Sequence, residues 1–264
     1  MTTTEPLIRM SGICKNFGPV SALRHVDLSL YPTEVLGLVG DNAAGKSTLM
    51  KVLTGAYQPD SGEIYLNGKR VRFSSPAESR AAGIEMVYQD LALAGNLSVS
   101  SNIFLGREHT YRPITRFPRF MDDQRMEKDA TELLHRLRIE IRSVRLRVES
   151  LSGGQRQSVA IARATAFQAR IVIMDEPTAA LAVREVGKVL DLIRGLHEHG
   201  VAVVLISHRL QDVFAVCDRI MVLRHGSIAG DRVTSKTSMD EVVALMVGAK
   251  SAAFEEAHSV AQAG

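Results

Sequence analysis

An apolar run, Val35-Leu36-Gly37-Leu38-Val39, leads straight into Gly40-Asp41-Asn42-Ala43-Ala44-Gly45-Lys46-Ser47, and no other stretch narrows the fold so far. The octapeptide matches G-x-x-x-x-G-K-[ST], in which a strand feeds a tight loop whose backbone N–H groups wrap phosphate oxygens. A helix beginning near Gly45 turns the positive end of its dipole towards the same oxygens. Lys46 then reaches the β- and γ-phosphates, and the Ser47 hydroxyl holds Mg²⁺. At average residue usage a chain of this length meets the pattern by chance about one time in a hundred.

The rest of the chain agrees with an α/β fold. Ile171-Val172-Ile173-Met174 and Val201 to Ile206 are all-apolar runs of the kind that suits parallel strands covered on both faces. Between them, Val186, Val189, Leu190, Ile193 and Leu196 recur at helical spacing over Val183 to His199, and Gly200 supplies a stop. Strand, helix, strand makes a βαβ unit with a parallel sheet. Residues 7–31 and 62–73 alternate instead, and Asn67-Gly68 is a hairpin cue, so an antiparallel β layer is expected beside the parallel core. Residues near 98–165 read as mostly helical. Asp122 is placed to cap a helix that carries Met126, Ala130, Leu133, Leu134 and Leu137 on one face. The tail from about Lys250 is Ala-rich and polar and is expected to fray.

Composition narrows the class further. The 264 residues fit one large domain, or one with an inserted subdomain. A net charge of +3 is too balanced to argue for nucleic acid by itself. Cys14 and Cys217 are too few for a disulfide framework or a four-cysteine zinc site, and point to a reducing compartment. Met1 to Met10 shows no signal-peptide pattern. The longest apolar stretch, Val201 to Ile206, falls far short of the roughly 20 residues a membrane helix needs.

Further residues carry candidate chemistry. Asp175 and Glu176 end an apolar strand, where ligands of open α/β sheets bind; Asp175 would enter the Mg²⁺ shell and Glu176 polarise a water. A solvated acidic turn is the plainer reading of Glu176-Pro177, and it loses weight beside a phosphate loop. Leu151-Ser152-Gly153-Gly154-Gln155 precedes an apolar helix, and its helix start would make a second anion site. An ordinary Ser cap and Gly-Gly loop explain the same residues. Gln89, after Met86-Val87-Tyr88, stands at a strand exit where it would reach metal or water, although such a Gln is more often solvated. His208 follows Ile206-Ser207 and would hydrogen-bond a γ-phosphate; its alternative is a structural His. Phe17 is either an adenine-stacking ring or a β-layer core residue.

Taken in order, these motifs resemble the nucleotide-binding subunit of an ABC transporter over about Ile8 to Gly248. Gly40 to Thr48 matches the Walker A loop, Gln89 the Q-loop, Leu151 to Gln155 the signature, and Ile171 to Asp175 Walker B. Glu176 matches the catalytic glutamate, His208 the switch histidine, and Phe17 the adenine-stacking aromatic. A narrower likeness lies in Ser75 to Ile84, Met86 to Asp90 and Asn102 to Glu108, which are similar to ATPases of ribose-, xylose- and fructose-type importers. A single motif set resembles the single-half, fructose-importer kind.

The resemblance implies the ABC ATPase fold: a P-loop core with a parallel sheet, an antiparallel β subdomain, and a helical subdomain inserted at about 92–165. Residues 5–248 would form the one domain and 249–264 a flexible tail. It implies ATP bound by Gly40, Asp41, Asn42, Ala43, Ala44, Gly45, Lys46, Ser47, Thr48 and Phe17, and, from a second copy, by Ser152, Gly153, Gly154 and Gln155. Ser47, Gln89 and Asp175 would hold Mg²⁺; Glu176, His208, Gln89 and Lys46 would serve catalysis. Its partners would be a second ATPase copy, two membrane permease subunits and an external sugar-binding protein, with the ATPase on the cytoplasmic face of the membrane.

Two departures stand out. Ala182 occupies the position where most relatives close the D-loop with Asp, which bears on how two sites communicate. Ala43 stands where many relatives have Gly, and a methyl there calls for a negative φ. A soluble ATPase acting on nucleic acid or ribosomes has only Arg136, Arg138, Arg142, Arg145 and Arg147 in its favour. The chain lacks the long heptads or zinc cysteines of such relatives, so no nucleic-acid partner is expected.

Overall fold

The computed structural model describes residues 5–111 and 119–248, so the expected fraying tail lies outside the described residues. The chain opens with an antiparallel pair, β1 (Ile8–Phe17) and β2 (Val20–Leu30), before β3 (Val35–Val39) enters a second sheet and α1 (Lys46–Leu53) follows it. β4 (Ser61–Leu66) and β5 (Lys69–Val71) return to the first pair. The result is a four-stranded antiparallel sheet in the order β2-β1-β4-β5. Asn67 and Gly68 turn its last hairpin with φ of 50° and 72°, the two left-handed positions that a tight Asn-Gly turn supplies.

The chain continues through α2 (Pro76–Ala81), β6 (Ile84–Val87), α3 (Val99–Ile103), β7 (Thr110–Tyr111), β8 (Phe120–Met121), α4 (Asp123–Arg136) and α5 (Gly153–Thr165). It closes with β9 (Ile171–Asp175), α6 (Val183–Glu198), β10 (Ala202–Ile206), α7 (Leu210–Val216), β11 (Arg219–Arg224), β12 (Ser227–Val233) and α8 (Met239–Val247). The main sheet runs β12-β11-β3-β10-β9-β6, parallel except for the edge strand β12.

Every residue of β3, β9 and β10 is buried, because apolar layers cover both faces of the sheet. The period of two divides them cleanly. Leu36, Leu38, Ile173, Val204 and Ile206 face the antiparallel sheet and α1. Val35, Val39, Val172, Met174, Val203 and Leu205 face the helices α5, α6 and α7. Burying each such side chain contributes roughly 1.5–3 kcal/mol, so these strands anchor whatever emerges from their ends.

The region near 98–165 is less helical than its sequence suggests. α3, α4 and α5 are present, but a short β7-β8 pair and an irregular stretch from Arg138 to Arg147 separate them. Asp122 caps α4 as expected, accepting from the Arg125 N–H. Met126, Ala130, Leu133 and Leu134 enter a third apolar cluster with Val99, Ile103, Phe104 and Val148. Helix α5 belongs to two clusters: Val159 and Ala162 face this third one, while Ala160, Ile161 and Ala164 face the main sheet. Among the arginines of this region, Arg145 pairs with Glu127 at 2.6 Å and Arg147 with Glu149 at 3.6 Å, which neutralises part of their charge.

Candidate functional site

The parallel register decides what meets at the carboxyl edge of the sheet. Ile206 lies beside Leu38 on one side and Asp175 on the other, and Val87 lies beside Met174. Residues just beyond these positions therefore leave the sheet together: Gly40, Glu176, His208 and Gln89.

The loop after β3 is shaped by two close approaches. A Cβ on Gly40, at φ 147°, would run into the Leu223 carbonyl. A Cβ on Gly45, at φ 105°, would lie 2.6 Å from the Ala22 carbonyl oxygen. Both positions need glycine. Ala43 contradicts the negative φ expected of it: φ is 64°. It takes the left-handed third corner of a turn closed by the Ala44 N–H to the Asp41 carbonyl at 3.1 Å. Its methyl is exposed, so the conformation costs strain without a clash. Ala43→Gly is expected to stabilise the nucleotide-free chain by about 1 kcal/mol, the strain less glycine's extra unfolded-state entropy. A melting temperature raised by roughly 2–4 °C checks it; an unchanged or lower one refutes it.

Lys46 starts α1 and folds back over the loop. Its Nζ donates to the Gly40 carbonyl at 2.7 Å and the Asp41 carbonyl at 2.9 Å. Burial lowers its pKa, opposed by the charges of Glu176, Asp175 and Asp41. The ammonium is thus poorly solvated, a state that incoming phosphate oxygens relieve.

Glu176 continues the β9–β10 ladder by donating its N–H to the Ile206 carbonyl at 2.9 Å, then turns off with φ 53°. A left-handed Glu costs about 1–3 kcal/mol. The bend aims its carboxylate at His208, whose Nδ1 is 2.7 Å from Oε2. An ionised carboxylate only accepts, which assigns the proton to Nδ1 and leaves Nε2 free. The Thr178 hydroxyl donates to buried Asp212 at 2.6 Å and ties the loop after Glu176 to α7.

A cavity of about 460 Å³ takes in part of this constellation; Gly40, Asp41 and His208 are not among the residues that line it. Phe17, Asn42 through Thr48, Gln89, Asp175 and Glu176 are among the residues that line it. Phe17 is 43% exposed and meets Tyr57 edge-on at 5.2 Å, so it is not a core residue. Ser47, Gln89 and Asp175, which carry hydroxyl, amide and carboxylate oxygens, line this same cavity. No cluster of three or more His, Cys, Asp or Glu suited to a metal occurs among the described residues. That donor set fits Mg²⁺, which keeps waters and phosphate oxygens and takes only one or two carboxylates from protein.

The Ser152–Gln155 group lies elsewhere. Ser152, Gly154 and Gln155 line a second cavity with Glu185 and Lys188, which shares no residue with the first. Ser152 caps α5: its hydroxyl accepts from the Gln155 N–H at 3.2 Å, and the Gln155 side chain accepts from the Ser152 N–H at 3.1 Å. The plain capping role and the exposed helix end therefore coexist.

Some contributors escaped the sequence. Arg24, from strand β2, and His225, from the turn between β11 and β12, line the first cavity and belong to no motif. Arg163 of α5 donates to the Leu91 and Ala92 carbonyls, each at 2.8 Å, and so holds the chain just beyond Gln89. Ala182 occupies the N-cap of α6 with no side-chain hydrogen bond, where an Asp would have capped.

The chain is similar to known proteins. A family model described as ABC transporter matches residues 23–179. The fructose import ATP-binding protein FrcA of Rhizobium meliloti is 48% identical over 93% of this chain and 95% of its own length. The ribose import ATP-binding protein RbsA of Caldanaerobacter subterraneus subsp. tengcongensis is 42% identical over 92% of this chain, which spans 48% of that protein. A solved structure, the dimeric bacterial ABC transporter cassette MJ0796, is 26% identical with a TM-score of 0.71, over 86% of this chain and 98% of its own.

Proposed function

The chain belongs to the ABC transporter family and is the ATP-hydrolysing subunit of a monosaccharide importer, and from that premise we propose how its separated residues form one working site. Two copies stack head to tail. Each ATP lies between Gly40–Thr48 of one copy and Ser152–Gln155 of the other. The observation that carries this reading is that Ser152, Gly154 and Gln155 at the start of α5 line a different cavity from the Asn42–Thr48 stretch that leads into α1, while Gly153 lines another together with Gln89 and Glu176. A second copy stacked head to tail would bring Ser152, Gly154 and Gln155 to the phosphates held by Asn42–Thr48.

In the closed pair Lys46 exchanges its two carbonyl partners for β- and γ-phosphate oxygens. Phe17 stacks on the adenine, and the backbone from Asp41 to Ser47 wraps the phosphates. Ser47, Asp175 and Gln89 would hold Mg²⁺, which would supply positive charge to the phosphoryl group. Glu176 orients the attacking water. His208, steered by Glu176 through Nδ1, points its second nitrogen at the γ-phosphate. Water exclusion strengthens each of these contacts, and the chemistry is mostly positioning and charge stabilisation.

The work is mechanical. The helical region at about 92–165 grips two permease subunits near Gln89, and an external binding protein delivers the sugar. Arg163 joins the loop after Gln89 to the signature helix. No described helix is long and apolar enough to cross a membrane, which suits a subunit docked on the cytoplasmic face. Fructose or ribose is the sugar the relatives favour.

The expected result is MgATP hydrolysis by the purified chain, faster when its permease is present. Vesicles holding permease and chain, given the binding protein, should take up labelled fructose or ribose only with ATP. Absence of MgATP turnover would overturn the enzymatic reading. Turnover and uptake of neither sugar would overturn only the substrate.

A further inference from the structure

The anion seat at the start of α5 already has a negative tenant. Glu185, in the first turn of α6, lies directly over Gly153 and Gly154. A Cβ built on Gly154 would meet Glu185 Cβ and Cδ at 2.9 Å and Cγ at 3.0 Å. One built on Gly153 would stand 3.7 Å from its Oε2. Glu185 lines one cavity with Ser152 and Gly154, and the pKa of its carboxyl is lowered, first by the Ser152 side chain, then by the Gly154 backbone and, less, by that of Ala182. Two helix N-termini, of α5 and α6, thus converge on one side chain.

Ser152 and Gly154 are also the donors that the two-chain reading assigns to ATP of the opposite copy. The same hydroxyl and N–H cannot serve both anions fully. We propose that Glu185 holds the signature seat in the separate chain and that the γ-phosphate of ATP carried by a second copy displaces it as the pair closes. The inference rests on the two-chain reading above.

The consequence is selectivity. ATP brings a γ-phosphate that replaces the lost contacts and adds charge. ADP ends one phosphate short and leaves the carboxylate in place, so closure on ADP is opposed. This is discrimination by a repulsive element built against the wrong ligand. Ala182 sharpens it: with no side chain to cap α6, the N-terminus of that helix leans on Glu185 as well.

The test measures dimer formation by light scattering in a Glu176→Gln background, with and without Glu185→Gln, against MgATP and MgADP. Removing the charge should lower the half-saturating MgATP by roughly two- to five-fold, the scale of one carboxylate at an exposed helix end. It should also let MgADP support dimer that the parent does not form. Glu185→Ala should act in the same direction. ADP binding to the separate chain, which uses only the Gly40–Thr48 side, should be unchanged and reports that the variant is folded. An unchanged or raised MgATP requirement with no ADP-supported dimer overturns the role of Glu185. If the Glu176→Gln parent itself stays monomeric with MgATP, the two-chain reading falls, and this inference falls with it.

Discussion

Glu176→Gln is expected to lose at least about 10²-fold in MgATP turnover while still binding ATP, the scale of removing one positioned catalytic group. The amide nearly preserves shape, so the left-handed bend at φ 53° and the Ile206 hydrogen bond survive. What changes is the anion. A neutral amide attracts the proton of an attacking water far less well. It also weakens the pairing at 2.7 Å that orients His208. Single-turnover kinetics should show the loss in the chemical step with ATP affinity retained, and ATP-bound dimer should accumulate because closure is no longer followed by hydrolysis. Turnover at the parent rate would remove Glu176 from its assigned role.

Lys46→Ala is expected to abolish measurable turnover and to weaken MgATP binding by more than tenfold. The side chain has two duties, and the geometry separates them. In the nucleotide-free chain its Nζ satisfies the Gly40 and Asp41 carbonyls at 2.7 and 2.9 Å. Losing these charge-assisted bonds costs about 1.5–3 kcal/mol each at most, so the empty loop should loosen. In the bound state the lost ammonium leaves phosphate charge uncompensated in a cavity that Asp175 and Glu176 already make negative. Equilibrium binding of a fluorescent ATP analogue reads the affinity, and limited proteolysis near Gly40 reads the loop. Near-parental affinity would show that the backbone cradle alone holds the phosphates.

Much of this is legible in the amino-acid sequence alone. The octapeptide, the strands at Val35, Ile171 and Ala202, and the Asn67-Gly68 turn all rest on local rules: period, glycine geometry and turn chemistry. They appear where those rules put them. Ala43 is the instructive failure. A methyl disfavours positive φ, but only the three-dimensional context shows an exposed side chain and a turn that fixes the backbone. The region near 98–165 is legible in its caps and apolar stripes and illegible in its connections. Arg24, His225 and Arg163 are silent because each acts through a contact distant in sequence: Arg163 bonds carbonyls more than seventy positions earlier. Glu185 is silent for a similar reason. Its carboxylate acts on a helix start more than thirty residues upstream, across an approach open only because Gly154 has no side chain.

Helix α5 has two owners, with Val159 and Ala162 committed to one apolar cluster and Ala160, Ile161 and Ala164 to another. It follows that the helical region is not an exchangeable module. A chimaera that transplants it from a relative, to redirect which permease is recognised, would cut a single helix whose opposite sides answer to different hosts. Wherever the seam falls, one side meets a foreign surface. Swaps that stop short of Gly153 keep this helix on its native main-sheet side but set Val159 and Ala162 against a foreign cluster; swaps that include it must bring a matching face of the main sheet.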